Sequence, residues 1–410
     1  MKKVSKFLFT LTLAFLISAP HTNGVEFKDL ETNAAQGHAE SQYNLAIMYD
    51  DGEGVTQNLQ KAFEWYSKAA TQGHVKAQNT VGWMYDHGSG VAQNDQKAVE
   101  WYRKAAAQDY AKAQNNLGIM YYEGKGVEQD YQQAFNWYSK AAKQGDADAE
   151  YNLALLYDRG EGVEQDYNKA FEWYRKAAKQ GHANAQYNLG VMYDCGQGVA
   201  QDSKKAFELY NQAAQQGSID AQFKLAQIYD DGEGVKQDLQ KAFQWYSAAA
   251  NQGHAQSQYS LGAMFYAGDS INQDYKKAFE WYSKAADQGY VSAQYNLGVM
   301  YARGEGVAQN YQQAVKWYNH AIAQDDTDAQ YNLALLYANG EGLPQNYTKA
   351  FELYHRAAEQ GHAQAQYALG WMYEHGKGVT VNRDNAIEWY SRSAEQGNEK
   401  AITALAQFNQ

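Results

Sequence analysis

The sequence predicts an all-α fold, an α/α superhelical solenoid of ten 36-residue helical-hairpin repeats with partial capping helices. Three observations predict it. One pattern recurs every 36 residues over 41–400 without an insertion, and a fixed period in the thirties is typical of solenoids, whose units contact mainly their neighbours. Every repeat contains two apolar patterns with the spacing of a helix. Proline occurs only twice in 410 residues, as expected of a chain that is nearly all helical.

The N-terminal segment differs in composition from the rest of the chain. Three lysines precede an apolar run over residues 7–17, and small residues at 22–24 are suited to cleavage. This pattern predicts a secretory signal peptide over residues 1–24. The run has about 11 residues, whereas a membrane-spanning helix needs roughly 20, so a membrane anchor is the weaker alternative. We therefore expect an exported protein, periplasmic or secreted, with no membrane span in its mature chain.

Partial repeats predict a cap at each end of the array. Residues 25–40 match only the second half of a repeat and are predicted to form an N-terminal capping half-repeat. Ten full repeats follow over residues 41–400, and residues 401–410 are predicted to form a C-terminal capping helix. Terminal units of a solenoid are expected to be atypical, because one of their faces meets water.

The fourth repeat, residues 149–184, illustrates how each hairpin is specified. Helix A is predicted from apolar residues that share one helical face, namely Ala149, Leu153, Leu156 and Tyr157. Helix B is predicted from a second set with the same property, namely Ala170, Phe171, Tyr174, Ala177 and Ala178. Asp166 is the expected N-cap of helix B. Gly160 and Gly162 in the turn, and Gly181 after helix B, are expected to allow positive φ.

The core of each hairpin is predicted from two recurring residues of helix B. Alanine at the position of Ala170 and tyrosine at the position of Tyr174 occur in all ten repeats. A small residue lets helices approach closely, and the ring fills the remaining space. We expect the tyrosine hydroxyl to bond to a neighbouring turn.

Three turns depart from the repeat pattern. Repeat seven reads Gly268-Asp269-Ser270-Ile271 and lacks the second turn glycine, which predicts a local change of the turn. Asp109 and Asp325 replace the glycine that follows helix B. Because aspartate tolerates left-handed geometry less well than glycine, these are candidate soft points between repeats.

Charge and cysteine content exclude some functions. The formal net charge is −12 and no run of basic residues interrupts the acidity, so neither nucleic acid nor an anionic membrane surface is an expected partner. Cys195 is the single cysteine, so the chain cannot form an internal disulfide. It is predicted to lie near the surface at the end of a helix A. Two interpretations stay open, namely that it forms a disulfide with another molecule and that it is a small residue present by chance at a variable position.

The repeat string AQYNLGxMYxxGxGVxQDxxKAFEWYxKAAxQGHAxAQ resembles the Sel-1-like repeat, a relative of the tetratricopeptide repeat, over about residues 41–400. The resemblance implies a superhelix that acts as an adaptor between proteins, in exported bacterial members for signalling, envelope assembly, polysaccharide export or host contact. One cysteine-rich branch has been associated with penicillin binding and β-lactamase activity, with a disulfide pair in each repeat. A single cysteine makes a β-lactamase-like enzyme or cell-wall hydrolase the less favoured alternative here.

No catalytic, cofactor or metal site is predicted from the sequence. The histidines that follow the turn glycines recur with the period and are explained by the turn, namely His74, His182, His254 and His362. Metal binding by them would require separate repeats to converge. The glutamates of helix B, from Glu64 to Glu388, are expected to form an exposed row along the array. We do not expect two of them to act together as a general acid and a general base.

Partner contact is expected at variable positions of helix A. The seventh and eleventh positions share a face, which in related superhelices is the concave one. Repeats two and ten carry Trp83 with His87 and Trp371 with His375 there. An exposed tryptophan beside a histidine is typical of an interface anchor, and gap filling near the array ends is the structural alternative. We expect a protein or peptide partner, and a peptidoglycan or polysaccharide binder with aromatic stacking platforms is a third interpretation.

Overall fold

The computed structural model describes residues 24–268 and 271–408. These residues form 22 α-helices, α1–α22, and contain no strand. The predicted signal peptide, residues 1–24, lies outside the described residues apart from Gly24, where α1 begins. The middle of the altered turn in repeat seven, residues 269–270, also lies outside them. The predicted all-α repeat fold is confirmed.

Helices A and B alternate along the chain between α1 (Gly24–Ala35) and α22 (Glu399–Phe408). The helices A are α2 (Ala39–Asp51), α4 (Val75–His87), α6 (Ala111–Glu123), α8 (Ala147–Arg159), α10 (Ala183–Cys195), α12 (Ile219–Asp231), α14 (Ala255–Ala267), α16 (Val291–Arg303), α18 (Thr327–Asn339) and α20 (Ala363–His375). The helices B are α3 (Leu59–Thr71), α5 (Asp95–Ala106), α7 (Tyr131–Lys143), α9 (Tyr167–Lys179), α11 (Ser203–Gln215), α13 (Leu239–Asn251), α15 (Tyr275–Asp287), α17 (Tyr311–Ile322), α19 (Tyr347–Glu359) and α21 (Arg383–Glu395).

The helices fall into two compact units. The first contains α1–α10 and ends at Gln201, and the second contains α11–α22 and begins at Asp202. Within the first unit, α3 packs against α2 and α4; within the second, α20 packs against α19 and α21. Packing of each helix on its neighbours in sequence is the arrangement expected of a solenoid.

The turn from helix A to helix B is closed by a glycine and a glutamine. The ten glycines that end helix A have φ between 63° and 78°, as predicted for Gly160. In repeat four, Gln165 Nε2 donates to the Asp158 carbonyl oxygen at 2.7 Å. The side chain therefore satisfies a carbonyl that the helix end leaves free.

The second turn glycine sets the approach of neighbouring repeats. Gly162 has a φ of 70°, and a Cβ atom there would lie 2.3 Å from the Tyr131 carbonyl oxygen. Tyr131 is the first residue of α7, in the preceding repeat. Glycine is therefore needed both for its backbone conformation and for the contact between repeats.

The core pairs small residues with large rings, as predicted. Ala170 and Tyr174 are both fully buried. The Tyr174 hydroxyl donates to Asp158 Oδ2 at 3.3 Å, at the end of helix A, and burial raises the pKa of Tyr174. In repeat three, a Cβ atom on Gly118 would lie 2.6 Å from the Tyr138 ring, so a helical glycine makes room for the same tyrosine position.

The ends of helix B also follow the sequence prediction. Asp166 Oδ1 accepts a hydrogen bond from the Lys169 backbone nitrogen at 3.0 Å and caps α9. After helix B, Gly181 has a φ of 88°. Asp109 and Asp325 take the same left-handed region, with φ values of 59° and 63°. The two aspartates therefore hold a conformation that glycine adopts more readily.

None of the described helices combines the length and the apolar character that a bilayer crossing requires.

Candidate partner-binding site

Trp83 lies on the exposed side of α4 and stacks on His87. The indole is 39% exposed. The two ring centroids lie 4.4 Å apart with an interplanar angle of 21°. His87 Nδ1 lies 3.1 Å from the Trp83 carbonyl oxygen, so both rings are held against the same helix turn. Trp83 and His87, which their spacing of four residues places on one face of the helix, thus form a stacked pair.

Trp371 and His375 form the same stack on α20 but in different surroundings. Their ring centroids lie 4.5 Å apart at 22°. Trp371 is only partly exposed and packs against two clusters of the core, one around Tyr354 and one around Tyr390. This packing agrees with the gap-filling alternative for Trp371. The two pairs lie in different units.

The histidines at the starts of repeats have a role that the sequence interpretation missed. His182 Nδ1 accepts from the Ala185 backbone nitrogen at 3.1 Å and caps α10. Its Nε2 faces Asp148 Oδ1 of α8 at 3.4 Å, and its ring stacks on Tyr151 of the same helix with centroids 4.6 Å apart. His74 and His362 repeat this geometry. The histidine therefore caps one helix A and contacts the helix A before it.

A series of glutamine pairs, called here the glutamine ladder, joins three successive helices at each rung, with the helix A member buried and its partner after helix B exposed. Gln294 Nε2 in α16 donates to the Ala286 carbonyl oxygen in α15 at 3.3 Å. Gln324 Nε2, just after α17, donates to Gln294 Oε1 at 2.9 Å. Pairs with the same geometry are Gln72–Gln42, Gln108–Gln78, Gln144–Gln114, Gln252–Gln222, Gln288–Gln258 and Gln396–Gln366. The sequence contains every member, but the pairing joins residues 30 apart and was not predicted.

Glu150 replaces a ladder glutamine in repeat four. Its side chain is 5% exposed, and Oε2 accepts from Gln180 Nε2 at 2.8 Å. Burial raises the pKa of this carboxyl, and the hydrogen bond from Gln180 opposes the rise. An ionised carboxylate cannot donate to the preceding helix as the glutamines do.

Gln330 interrupts the ladder in repeat nine. It is fully buried, and neither Nε2 nor Oε1 has a hydrogen-bond partner among the described residues. Gln360, the expected partner, instead donates to the Arg356 carbonyl oxygen at 3.4 Å. Arg356 also forms an ion pair with Asp325, in which Nη2 lies 3.9 Å from Oδ1. Gln72 and Gln288 form the equivalent bond to their own helices at 3.5 Å and still complete their rungs, so the bond to Arg356 does not by itself account for the missing rung.

Six tryptophans of the described helices B are covered by a cation three residues later. Lys176 Nζ lies 3.6 Å from the Trp173 ring centroid, and Lys140 Nζ lies 4.1 Å from that of Trp137. Equivalent stacks are Lys68 on Trp65, Lys104 on Trp101, Lys284 on Trp281 and Arg392 on Trp389. Such cation–π contacts occupy one face of each indole.

The remaining candidate groups are dispersed. Cys195 is exposed at the end of α10, where the sequence placed it. Glu64, Glu172 and Glu280 are exposed on separate helices B. Across residues 24–268 and 271–408, His, Cys, Asp and Glu side chains nowhere gather in the groups of three that could hold a metal ion.

Comparison with known families and structures identifies the repeat. The family model of the Sel1 repeat matches ten consecutive segments, 39–74, 75–110, 111–146, 147–182, 183–218, 219–254, 255–290, 291–326, 327–362 and 363–398. Each match begins at the first residue of a helix A, two residues before the start chosen from the sequence.

Two solved structures resemble the chain over most of its length. A protective antigen present in uropathogenic Escherichia coli strains, which displays an SLR fold, is 37% identical, with a TM-score of 0.79 over 93% of this chain and 82% of that one. A Sel1 repeat protein from Oxalobacter formigenes is 33% identical, with a TM-score of 0.56 over 77% of this chain and 91% of that one. No curated protein matches the chain. The protein belongs to the Sel1 repeat family.

Proposed function

We propose that the protein is an exported, non-catalytic scaffold that binds a protein or peptide at the face of α4 formed by Trp83 and His87. The observation that carries this proposal is the exposure of Trp83, the one aromatic among the four large hydrophobic side chains exposed in the described residues. Tryptophan is enriched among residues that dominate binding energy. Because His87 already holds the indole, little side-chain freedom is lost when a partner covers it.

Family membership and sequence support the rest of the proposal. Proteins of Sel1 and tetratricopeptide-like repeats are typically protein-interaction scaffolds. The N-terminal lysines and apolar run support export. The similar Escherichia coli protein is described as a protective antigen, and antibodies reach antigens outside the cytoplasm. A role in envelope signalling or host interaction follows as part of the same proposal.

A protein or peptide is favoured over a polysaccharide by the surroundings of the aromatic rings. Sugars stack on free indole faces. In this chain His87 covers one face of Trp83, and lysines cover helix B tryptophans such as Trp173 and Trp137. An exposed indole edge suits an apolar side chain of a partner better than a sugar ring.

Affinity capture from envelope and host-cell extracts, read by mass spectrometry, tests the proposal. We expect a protein that the wild type retains and the variant Trp83→Ala/His87→Ala loses. Leu59→Ala is the matched control, because Leu59 is 38% exposed and lies outside this face. Trp371 is left unchanged, since its removal would also disturb two core clusters.

Two outcomes would contradict the proposal. One is retention of the same proteins by all three forms, with unfolding free energies within about 1 kcal/mol of one another. The other is turnover of a chromogenic β-lactam by the purified protein, which would favour the enzymatic alternative.

A further inference from the structure

A groove within the first unit lies between α7 and α9 and has a floor formed by α8. Its volume is about 620 Å³. Phe135 and Trp137 of α7, Tyr157 of α8 and Trp173 of α9 line it. Phe135 and Tyr157 meet edge to face, with ring centroids 5.5 Å apart. The groove therefore offers an apolar wall built from ordered rings.

Two lysines give this groove a charge opposite to that of the whole chain. Lys140 and Lys143 line it and are both exposed. Neither forms an ion pair with a carboxylate among the described residues. No acidic side chain lines the groove, and α7 contains none. On a protein of net charge −12, two unneutralised cations beside an apolar wall mark a local exception.

The exception comes from particular substitutions in repeat three. The position of Asn136 is glutamate in seven of the ten repeats, so α7 lacks the acid that most helices B carry. The corresponding residues of repeat seven, 144 residues later, are Glu280, Lys284 and Asp287. That helix has the same aromatic scaffold and an acid at two of the three positions.

We propose that this groove binds an acidic peptide segment of a protein partner, with an apolar side chain on the ring wall and carboxylates at Lys140 and Lys143. This inference rests on the proposed function, that the chain binds a protein or peptide, and adds a second contact of defined chemistry. Charge complementarity identifies the partner as acidic. The apolar wall, which a purely polar polyanion would leave uncovered, identifies it as a peptide.

An anionic polysaccharide fits the groove less well. Lys140 covers a face of Trp137 and Lys176 covers a face of Trp173, at 4.1 and 3.6 Å from the ring centroids. A lysine thus occupies one face of each indole, and each ring also packs against a core cluster, which leaves little indole face for a sugar ring.

Fluorescence anisotropy of the full chain with labelled synthetic peptides tests the inference. The probe is a peptide of alternating glutamate and leucine, compared with peptides in which glutamine replaces glutamate or serine replaces leucine. We expect binding of the first peptide, loss with either replacement, and weakening at high salt. Lys140→Glu/Lys143→Glu should weaken binding about tenfold or more, because both attractive contacts become repulsive.

The control and the contradicting outcomes follow from repeat seven. Lys276→Glu/Lys284→Glu makes the same change in net charge on α15 and should leave peptide binding within about twofold of wild type. Equal binding by both double variants, no binding by the wild type, or equal binding of the serine peptide would overturn the inference. Heparin at matched charge is a further competitor. If it displaces the labelled peptide as well as an unlabelled peptide does, and only the groove variant loses heparin binding, the assignment to a peptide is overturned.

The two proposals fail separately. If the groove variant keeps full peptide binding while Trp83→Ala/His87→Ala loses its captured protein, the inference about the groove is wrong and the scaffold function stands. If the α4 variant loses no partner while the groove variant loses the peptide, the proposed face on α4 is wrong and the groove stands as a binding site.

Discussion

The glutamine ladder is complete at Gln294 and interrupted at Gln330, although the two residues occupy the same position in neighbouring repeats. Gln294 donates to Ala286 and accepts from Gln324. Gln330 is equally buried and has no hydrogen-bond partner among the described residues. The comparison shows that a recurring residue acquires its role from partners that lie about one repeat away. Gln360, the residue that would complete the rung, donates only to the Arg356 carbonyl oxygen of its own helix.

The same substitution at the two positions should have opposite effects. Gln294→Leu removes a donor and an acceptor from a satisfied rung and should lower the free energy of unfolding by about 2 kcal/mol. Gln330→Leu removes two buried polar groups that have no partner, and should raise it by about 1–2 kcal/mol. Urea and thermal unfolding of the full chain measure both. Effects of the same sign would show that the Gln330 side chain forms hydrogen bonds in solution.

A chemically different interruption, at Glu150, should depend on pH. Burial raises the pKa of Glu150, so the folded state favours the protonated form. The stability that this group contributes is complete below its unfolded pKa and is lost as pH rises through its folded pKa. Glu150→Gln should therefore stabilise the protein by about 1 kcal/mol at neutral pH, and the gain should shrink on acidification.

Unfolding midpoints across an acid-to-neutral pH series measure this effect. Glu164→Gln, at an exposed position of the same repeat, controls for the change in net charge. Lys176 and Asp146 also act on the Glu150 carboxyl, in opposite directions, and remain unchanged in both variants. A gain that is independent of pH would contradict the assigned role of the carboxyl.

The smallest effects are expected at the two strained junctions. Asp325→Gly relieves a φ of 63° and should stabilise the protein by about 0.5–1 kcal/mol. Its ion pair with Arg356 is exposed and contributes little. Asp109→Gly should stabilise the protein less, because it also removes a hydrogen bond. Asp109 Oδ1 accepts from Nε2 of the ladder residue Gln114 at 3.2 Å. Differential scanning calorimetry resolves the order, and an equal or larger gain at Asp109 would refute the explanation.

Features set by a residue and its near neighbours were predictable from the sequence. The period, the glycine turns, the cap at Asp166 and the buried tyrosines all follow from patterns within one hairpin. The stacked pair of Trp83 and His87 also follows from a spacing of four residues. Binding of a partner by Trp83, His87, Trp371 and His375 stays a prediction.

Features that join residues from different helices were not predictable. His182 was assigned to the turn because its contacts with Asp148 and Tyr151 appear only when α8 and α10 pack together. The bond that it accepts from the Ala185 backbone nitrogen is a local N-cap that the sequence interpretation overlooked. Trp83 and Trp371 share the string GWMYxHG, yet only the packing around them separates an exposed ring from one in the core. A charge summed over the chain likewise concealed Lys140 and Lys143, which lie beside a ring wall that α7, α8 and α9 form together.

The hydrogen bonds that tie one repeat to the next have a consequence for how the chain folds. The side-chain bonds that join neighbouring helices span 8 to 39 residues, as in Gln294 with Ala286 and Tyr122 with Glu161. Closing such short loops costs little chain entropy, so folding can nucleate at many places within each unit and spread from hairpin to hairpin. Low contact order of this kind favours rapid folding, and a nascent chain can begin to fold before all of its hairpins have emerged from the ribosome.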